Sequence, residues 1–114
     1  MYLRGRMASR FLGGEAAVVE AQVLQIGPVR LLGVPAEATV RVGRDWRERM
    51  GTRDAAVLSI ANGWLRYLPH SQDFAEPSAK NAYEVLMSTL VTEAAERLLA
   101  AGEELATLLD GGVE

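Results

Sequence analysis

No cysteine occurs among the 114 residues, which excludes disulfides and thiolate metal sites and leaves the redox compartment undecided. Aromatic residues are scarce at 6%, so there is no ladder of rings on which single-stranded nucleic acid would stack. Long apolar runs are missing too, and nothing approaches the ~18 residues of a membrane span. The opening MYLRGRMASRFLGG is basic without an apolar core. It does not read as a secretory signal, and the chain as written is expected in the cytoplasm. Histidine appears once, as His70, outside any HExxH or similar pairing; a lone loop histidine of this kind reads as a solvated residue rather than a zinc ligand. Ser9, Ser59, Ser71, Ser78 and Ser88 all lie outside a GxSxG elbow. The GxGxxG fingerprint is absent, and Gly13-Gly14-Glu15 lacks the lysine of a P-loop. The pattern offers no self-contained catalytic centre.

What is present fits one folded domain. Hydrophobic residues make up 49% and charged residues 24%, ordinary values for a globular chain. At this length about two thirds of the unfolded surface can be buried, so a core forms without staples. The net charge is −3, yet residues 1–66 hold ten Lys/Arg against six Asp/Glu, and residues 67–114 two against nine. The arginines are dispersed among acids, so this reads as two solvated faces of opposite sign and not as a nucleic-acid surface.

Residues 1–15, with Gly5, Gly13 and Gly14, show no sustained period and read as a flexible or partner-dependent arm. From Ala17 to Ile26 apolar and polar residues alternate, with Val19, Ala21 and Val23 opposing Glu20 and Gln22. Leu24 and Ile26 shift the phase, which suggests a bulge or burial of both faces. Gly27-Pro28 is a turn into a second strand, Val29–Val34, and Pro35 ends it. Ala38, Val42, Trp46 and Met50 recur at every fourth position, predicting a helix over 38–50 with Gly51 as its stop. Gly43 inside that helix costs about 1 kcal/mol against alanine, so a close packing contact is expected there. Residues 55–61 (AAVLSIA) read as a strand buried on both faces. Residues 62–83 form a loop broken by Asn62-Gly63, Pro69 and Pro77. A final amphipathic helix spans about Leu90–Leu109, with Thr89 as N-cap and Gly111 as stop.

The expected architecture is α/β (α+β): a small two-layer unit over residues 16–114. It has about three strands, two of them a hairpin, and two main helices packed on one face. The other sheet face then needs a partner. Glu37 follows Val34-Pro35 where the chain turns into the first helix. Its carboxylate would either cap that helix or point into a pocket at the strand's carboxyl end. Tyr67 leaves the neighbouring strand at the same edge, and Tyr83-Glu84 close the long loop. Aromatic packing and a functional role are both open for these residues on composition alone.

At these positions the chain resembles the neutral (non-lysosomal) ceramidases and their shorter bacterial relatives. The resemblance covers residues 20–109 approximately, the last part of that family's catalytic domain. It rests on VLQIGPVRLLGVPAE (23–37), Gly43-Arg44, SIANGWLRYLP (59–69) and Tyr83-Glu84, in that order. It implies an N-acyl amide hydrolase built on one zinc ion, bound by two histidines, a glutamate and a tyrosine. Glu37, in Pro-Ala-Glu where the family has PGE or PSE, matches the glutamate ligand. Tyr67, after Asn62, matches the tyrosine ligand, and Tyr83 matches a tyrosine near the scissile amide. The histidine pair, the catalytic serine segment and a substrate-orienting arginine belong to parts of the domain that this chain does not contain. The gap from Tyr67 to Tyr83 is also a few residues longer than in better-known members.

Zinc held by Glu37 and Tyr67 alone is therefore expected to be weak or absent, because such sites need three or four protein ligands. The expected function is the C-terminal portion of a ceramidase-like zinc amidohydrolase, inactive by itself. Its partner would be a missing N-terminal portion or a second copy of the chain, and its substrate an N-acyl lipid. The alternative is a stand-alone homo-oligomeric module that kept the scaffold without the catalysis.

Overall fold

The structure is a computed structural model that describes residues 2–10, 16–79 and 82–111. The chain runs β1 (Tyr2–Arg10), β2 (Ala16–Ile26), β3 (Val29–Gly33), β4 (Glu37–Ala38), α1 (Val40–Met50), β5 (Ala55–Leu58), β6 (Tyr67–Leu68), α2 (Ser71–Ala75), α3 (Tyr83–Leu86) and α4 (Ala94–Asp110). Four strands form one sheet in the order β1-β2-β3-β5, and β4 with β6 form a second, two-stranded one. The three expected strands and two main helices are all present in a mixed α/β unit. In addition, Tyr2–Arg10 of the expected arm runs antiparallel to β2, from Tyr2↔Leu24 to Arg10↔Ala16. Residues 11–15 lie outside the described residues.

The β2–β3 hairpin turns on two residues, with Ile26 opposite Val29. Gly27 takes the positive φ of 57° at the first turn position, which a residue with a Cβ adopts reluctantly. The register runs without interruption from Gln22↔Gly33 to Ile26↔Val29, so the expected bulge does not occur. Leu24 is half-buried and Ile26 exposed, because they lie on the sheet face that neither main helix covers. Val19, Ala21 and Val23 face the core. β3 and β5 are parallel, a pairing that requires a crossover, and α1 supplies it.

α1 starts after Thr39 and stops at Gly51, whose left-handed φ of 68° lets its N–H reach the carbonyls of Arg47 and Glu48. Its buried residues are Val42 and Trp46. The Trp46 indole Nε1–H donates to the Arg30 carbonyl at 3.3 Å, which pins the helix to β3. Val42, Trp46, Leu32, Leu98 and Leu99 belong to one buried cluster, so both main helices pack on the same side of the sheet. Among the described residues no helix is long and apolar enough to cross a membrane.

Four further expectations are corrected. Residues 55–61 are not buried on both faces: the strand stops at Leu58, and Leu58 and Ile60 are exposed, because β5 is an edge with one neighbour. Residues 62–83 are not one loop, since they contain β6 and α2. α4 begins at Ala94 after Glu93, not after Thr89; Leu90 is buried ahead of the helix, with its N–H on the Ser88 hydroxyl.

The last correction concerns glycine. A Cβ at Gly43 would meet nothing within 4 Å, whereas at Gly102 of α4 it would lie 2.7 Å from Leu32 Cδ1 and 3.0 Å from Trp46 Cζ3. The close approach is therefore at Gly102, where α4 crosses both β3 and α1. Gly102→Ala gains about 1 kcal/mol of helix propensity but overpacks a buried contact at about 1–3 kcal/mol. A net loss of about 1 kcal/mol is expected in urea denaturation. A stabilised variant would show that Leu32 and Trp46 give way freely.

Candidate functional site

Pro35 has no N–H for a ladder, and the chain that follows it is held by a different set of bonds. The segment after β5 folds back along 34–36: Ile60 N–H donates to the Ala36 carbonyl (3.0 Å), Ala61 N–H to Val34 (2.9 Å) and Leu65 N–H to Pro35 (2.7 Å). Ile60, Asn62 and Arg66 all take positive φ, between 57° and 63°. For the β-branched Ile60 this is costly. The result places β6 beside β4 in parallel, with Glu37 opposite Tyr67 and Ala38 opposite Leu68. Glu37 N–H bonds the Arg66 carbonyl at 2.8 Å and Thr39 N–H bonds Leu68 at 3.2 Å. Glu37 does not cap α1; Thr39 occupies that position, and no side chain bonds the helix end.

Two residues thirty positions apart in sequence thus become direct neighbours. The third candidate joins them. Tyr83, at the start of α3, meets Tyr67 edge-on with ring centroids 5.5 Å apart and planes at 80°, a favourable aromatic geometry. Ser88 donates to the Tyr67 carbonyl at 3.2 Å and holds the segment after α3 against β6. Burial pushes the Tyr67 phenol above its ordinary range, and the nearby Glu37, Tyr83 and Glu84 push it further the same way. The neutral phenol is therefore the resting form, and a cation arriving here would be welcomed by two carboxylates.

Glu37, Tyr67 and Glu84 line an open cleft of about 610 Å³, and Arg41, Arg44, Asp73 and Glu76 line it with them. Arg41 is tied to its neighbours there by ion pairs to Asp73 (3.0 Å) and Glu76. Thr39 also donates to Asp73 at 2.6 Å. Arg44 is exposed and borders both this cleft and a second one of about 550 Å³ beside His70. Among the described residues no group of three His, Cys, Asp or Glu side chains is arranged to hold a metal ion.

His70 is the residue that sequence reasoning misjudged. It is buried, at 8% exposure. Its Nε2 lies 2.9 Å from Asp45 Oδ2 on α1 and 3.4 Å from Glu96 Oε1 on α4. Its Nδ1 accepts from the Gln72 N–H at 3.2 Å, so the neutral ring carries its proton on Nε2 and donates it towards Asp45. His70 caps α2, and Asp73 answers by accepting from the His70 N–H at 2.8 Å. The signal was legible in part: a cap residue followed three positions later by an acid is a capping-box pattern. Its ring is occupied on both nitrogens, which leaves it fixing the α2 wall of the cleft and not facing a substrate.

No family model matches the chain, and no curated protein matches it either. Two solved structures share its fold. A ceramidase complexed with C2 superposes with a TM-score of 0.66 at 24% identity, over 82% of this chain and 15% of that one. The neutral ceramidase from Pseudomonas aeruginosa superposes at 0.63 with 25% identity, over the same shares of the two chains. The chain spans about 15% of the length of these proteins. Its fold is that of a segment of neutral ceramidase.

Proposed function

We propose that this polypeptide is the C-terminal portion of a neutral ceramidase-like, zinc-dependent N-acyl amide hydrolase, and that it contributes half of the metal site. The observation that carries the reading is the register pair Glu37↔Tyr67 with Tyr83 against it: the three residues matched to the family by motif stand together at the two-stranded β4–β6 sheet. A carboxylate and a phenol are oxygen donors that suit zinc, and two donors fit half of a four-coordinate shell. When bound, zinc polarises an amide carbonyl and the attacking water. Glu37 and Tyr67 would hold it from this side. The Tyr83 hydroxyl, on an exposed ring packed edge-on against Tyr67, would donate a hydrogen bond to a substrate amide.

Two donors make a weak site, so the isolated chain is expected to take up zinc weakly and to hydrolyse no N-acyl amide above background. Calorimetric zinc titration tests the first part. Glu37→Gln or Tyr67→Phe should each lower the residual affinity at least about tenfold, since losing even a group that only supports a ligand costs about 10–100-fold. Unchanged affinity in both variants would sink the metal assignment. Turnover of an N-acyl substrate by the purified chain would overturn its incompleteness.

A further inference from the structure

His70 is the one histidine of the chain. It is buried, and the half-site chemistry makes no use of it. Its two nitrogens face different partners. Nε2 donates to Asp45 Oδ2 of α1 at 2.9 Å, with Glu96 Oε1 of α4 3.4 Å away. Nδ1 accepts the Gln72 N–H of α2 at 3.2 Å. Two carboxylates therefore stand at one nitrogen and a backbone donor at the other. Gln72 extends the connection, because its Oε1 accepts from Arg41 Nη1 at 3.1 Å, and Arg41 lines both clefts.

Histidine is the side chain that changes charge between about pH 5 and 8. Nε2 already carries the proton of the neutral ring, so a second proton has only Nδ1 to go to. That lone pair is the one the Gln72 N–H occupies. Once Nδ1 is protonated, two donors face each other and the cap bond breaks. The ring has reason to stay, since its new charge lies beside Asp45 and Glu96. Burial raises the Asp45 carboxyl, but hydrogen bonds from His70 and Arg49 outweigh it and hold the carboxyl below its ordinary range. Asp45 therefore remains an anion throughout this interval. Arg49 is shared with Glu103 of α4 at 3.0 Å, and Arg41, Arg44 and Glu48 of α1 line the second cleft beside the ring. On α2 itself, Asp73 accepts from the His70 N–H at 2.8 Å and pairs with Arg41 at 3.0 Å. Ser71 N–H bonds Glu96 at 2.9 Å. These ties keep α2 attached, so the part that opens is its first turn at Gln72.

We propose that His70 is a proton-operated latch on the cleft lining. Neutral, it holds Gln72 and, through Gln72, steadies Arg41. Protonated, it stays with Asp45 and Glu96 and lets Gln72 go. Acid thus loosens one lining that the two clefts share without unfolding the domain. A part in catalysis rests on the half-site reading above, but the latch itself is read on the metal-free chain. Zinc titration can fail while the latch holds, and the latch can fail while zinc binds.

The test is an NMR titration of the full, nitrogen-15-labelled chain from about pH 8 to about pH 5. At the alkaline end the His70 ring should be the Nε2–H tautomer, and at the acid end the imidazolium. The Gln72 amide should shift with the midpoint of the ring, and its exchange protection should fall about fivefold, the scale of one lost hydrogen bond. The Gln72 side-chain amide should move with it. The indole N–H of Trp46, which is fully buried, should not. In His70→Asn the cap keeps a good acceptor that does not titrate, so the Gln72 amide should hold still over the whole range. The latch is overturned by an Nδ1–H tautomer at the alkaline end, or by a ring that stays neutral to the acid end. It is equally overturned by a Gln72 amide that ignores the ring, or by the same acid change in His70→Asn. Loss of the Trp46 signal at the same midpoint would refute it too, because the domain would then be unfolding as a whole. Should His70→Asn fail to fold, the titration of the wild type decides alone.

Discussion

Replacing Trp46 with alanine is expected to remove about 3–5 kcal/mol of stability, a large part of the 5–15 kcal/mol that holds a domain of this size together. Trp46 is the largest fully buried side chain. It bridges α1 to β3 through its indole hydrogen bond to Arg30, and Gly102 of α4 is packed directly against its ring. Alanine would leave a void between three elements at once, and α4 has no side chain at 102 with which to fill it. Urea denaturation should show the midpoint falling steeply. A loss under about 1 kcal/mol would mean that α4 collapses onto the sheet and that the close approach at Gly102 has no structural weight.

His70→Leu comes second, with an expected loss of about 2–3 kcal/mol. The leucine fills the space but withdraws the acceptor for the Gln72 N–H and the donor for Asp45, and half-buried polar groups without partners cost about 1–3 kcal/mol. The effect carries a pH signature. Burial pushes the Asp45 carboxyl up, but hydrogen bonds from His70 and Arg49 outweigh it and hold the carboxyl below its ordinary range. A carboxyl lowered by folding stabilises the protein above the ordinary carboxylate range, and that contribution fades as pH falls through the lower folded value. Removing His70 leaves only Arg49 to lower the carboxyl and narrows the gap between the two values, so the variant should lose less stability than the wild type between neutral pH and about pH 3. Parallel acid limbs for the two proteins would show that the histidine contributes nothing to Asp45.

The hairpin and α1 were legible because their signals are local. Alternation at Val19, Ala21 and Val23, a Gly-Pro turn, and a four-residue period closed by Gly51 each depend on neighbours in sequence. Glu37, Tyr67 and Tyr83 were singled out in a different way, through short motifs; the β4–β6 register sets the first two side by side and a ring contact brings the third to Tyr67. Two-residue strands have no period to detect, so the pairing itself was invisible. His70 was misread because its burial depends on Asp45 and Glu96, each about 25 residues away in sequence. The helix glycines were misassigned for the same reason: whether Gly43 or Gly102 is indispensable depends on what lies across the gap, and only Gly102 faces Leu32 and Trp46.

The lacing of residues 60–65 onto 34–36 has a thermodynamic consequence. Holding one residue's backbone in place costs about 1–2 kcal/mol of conformational entropy. Here that cost is met during folding of the chain itself, before anything is bound. The neighbouring Glu37 and Tyr67 therefore stand on a frame that is stiff before any ligand arrives.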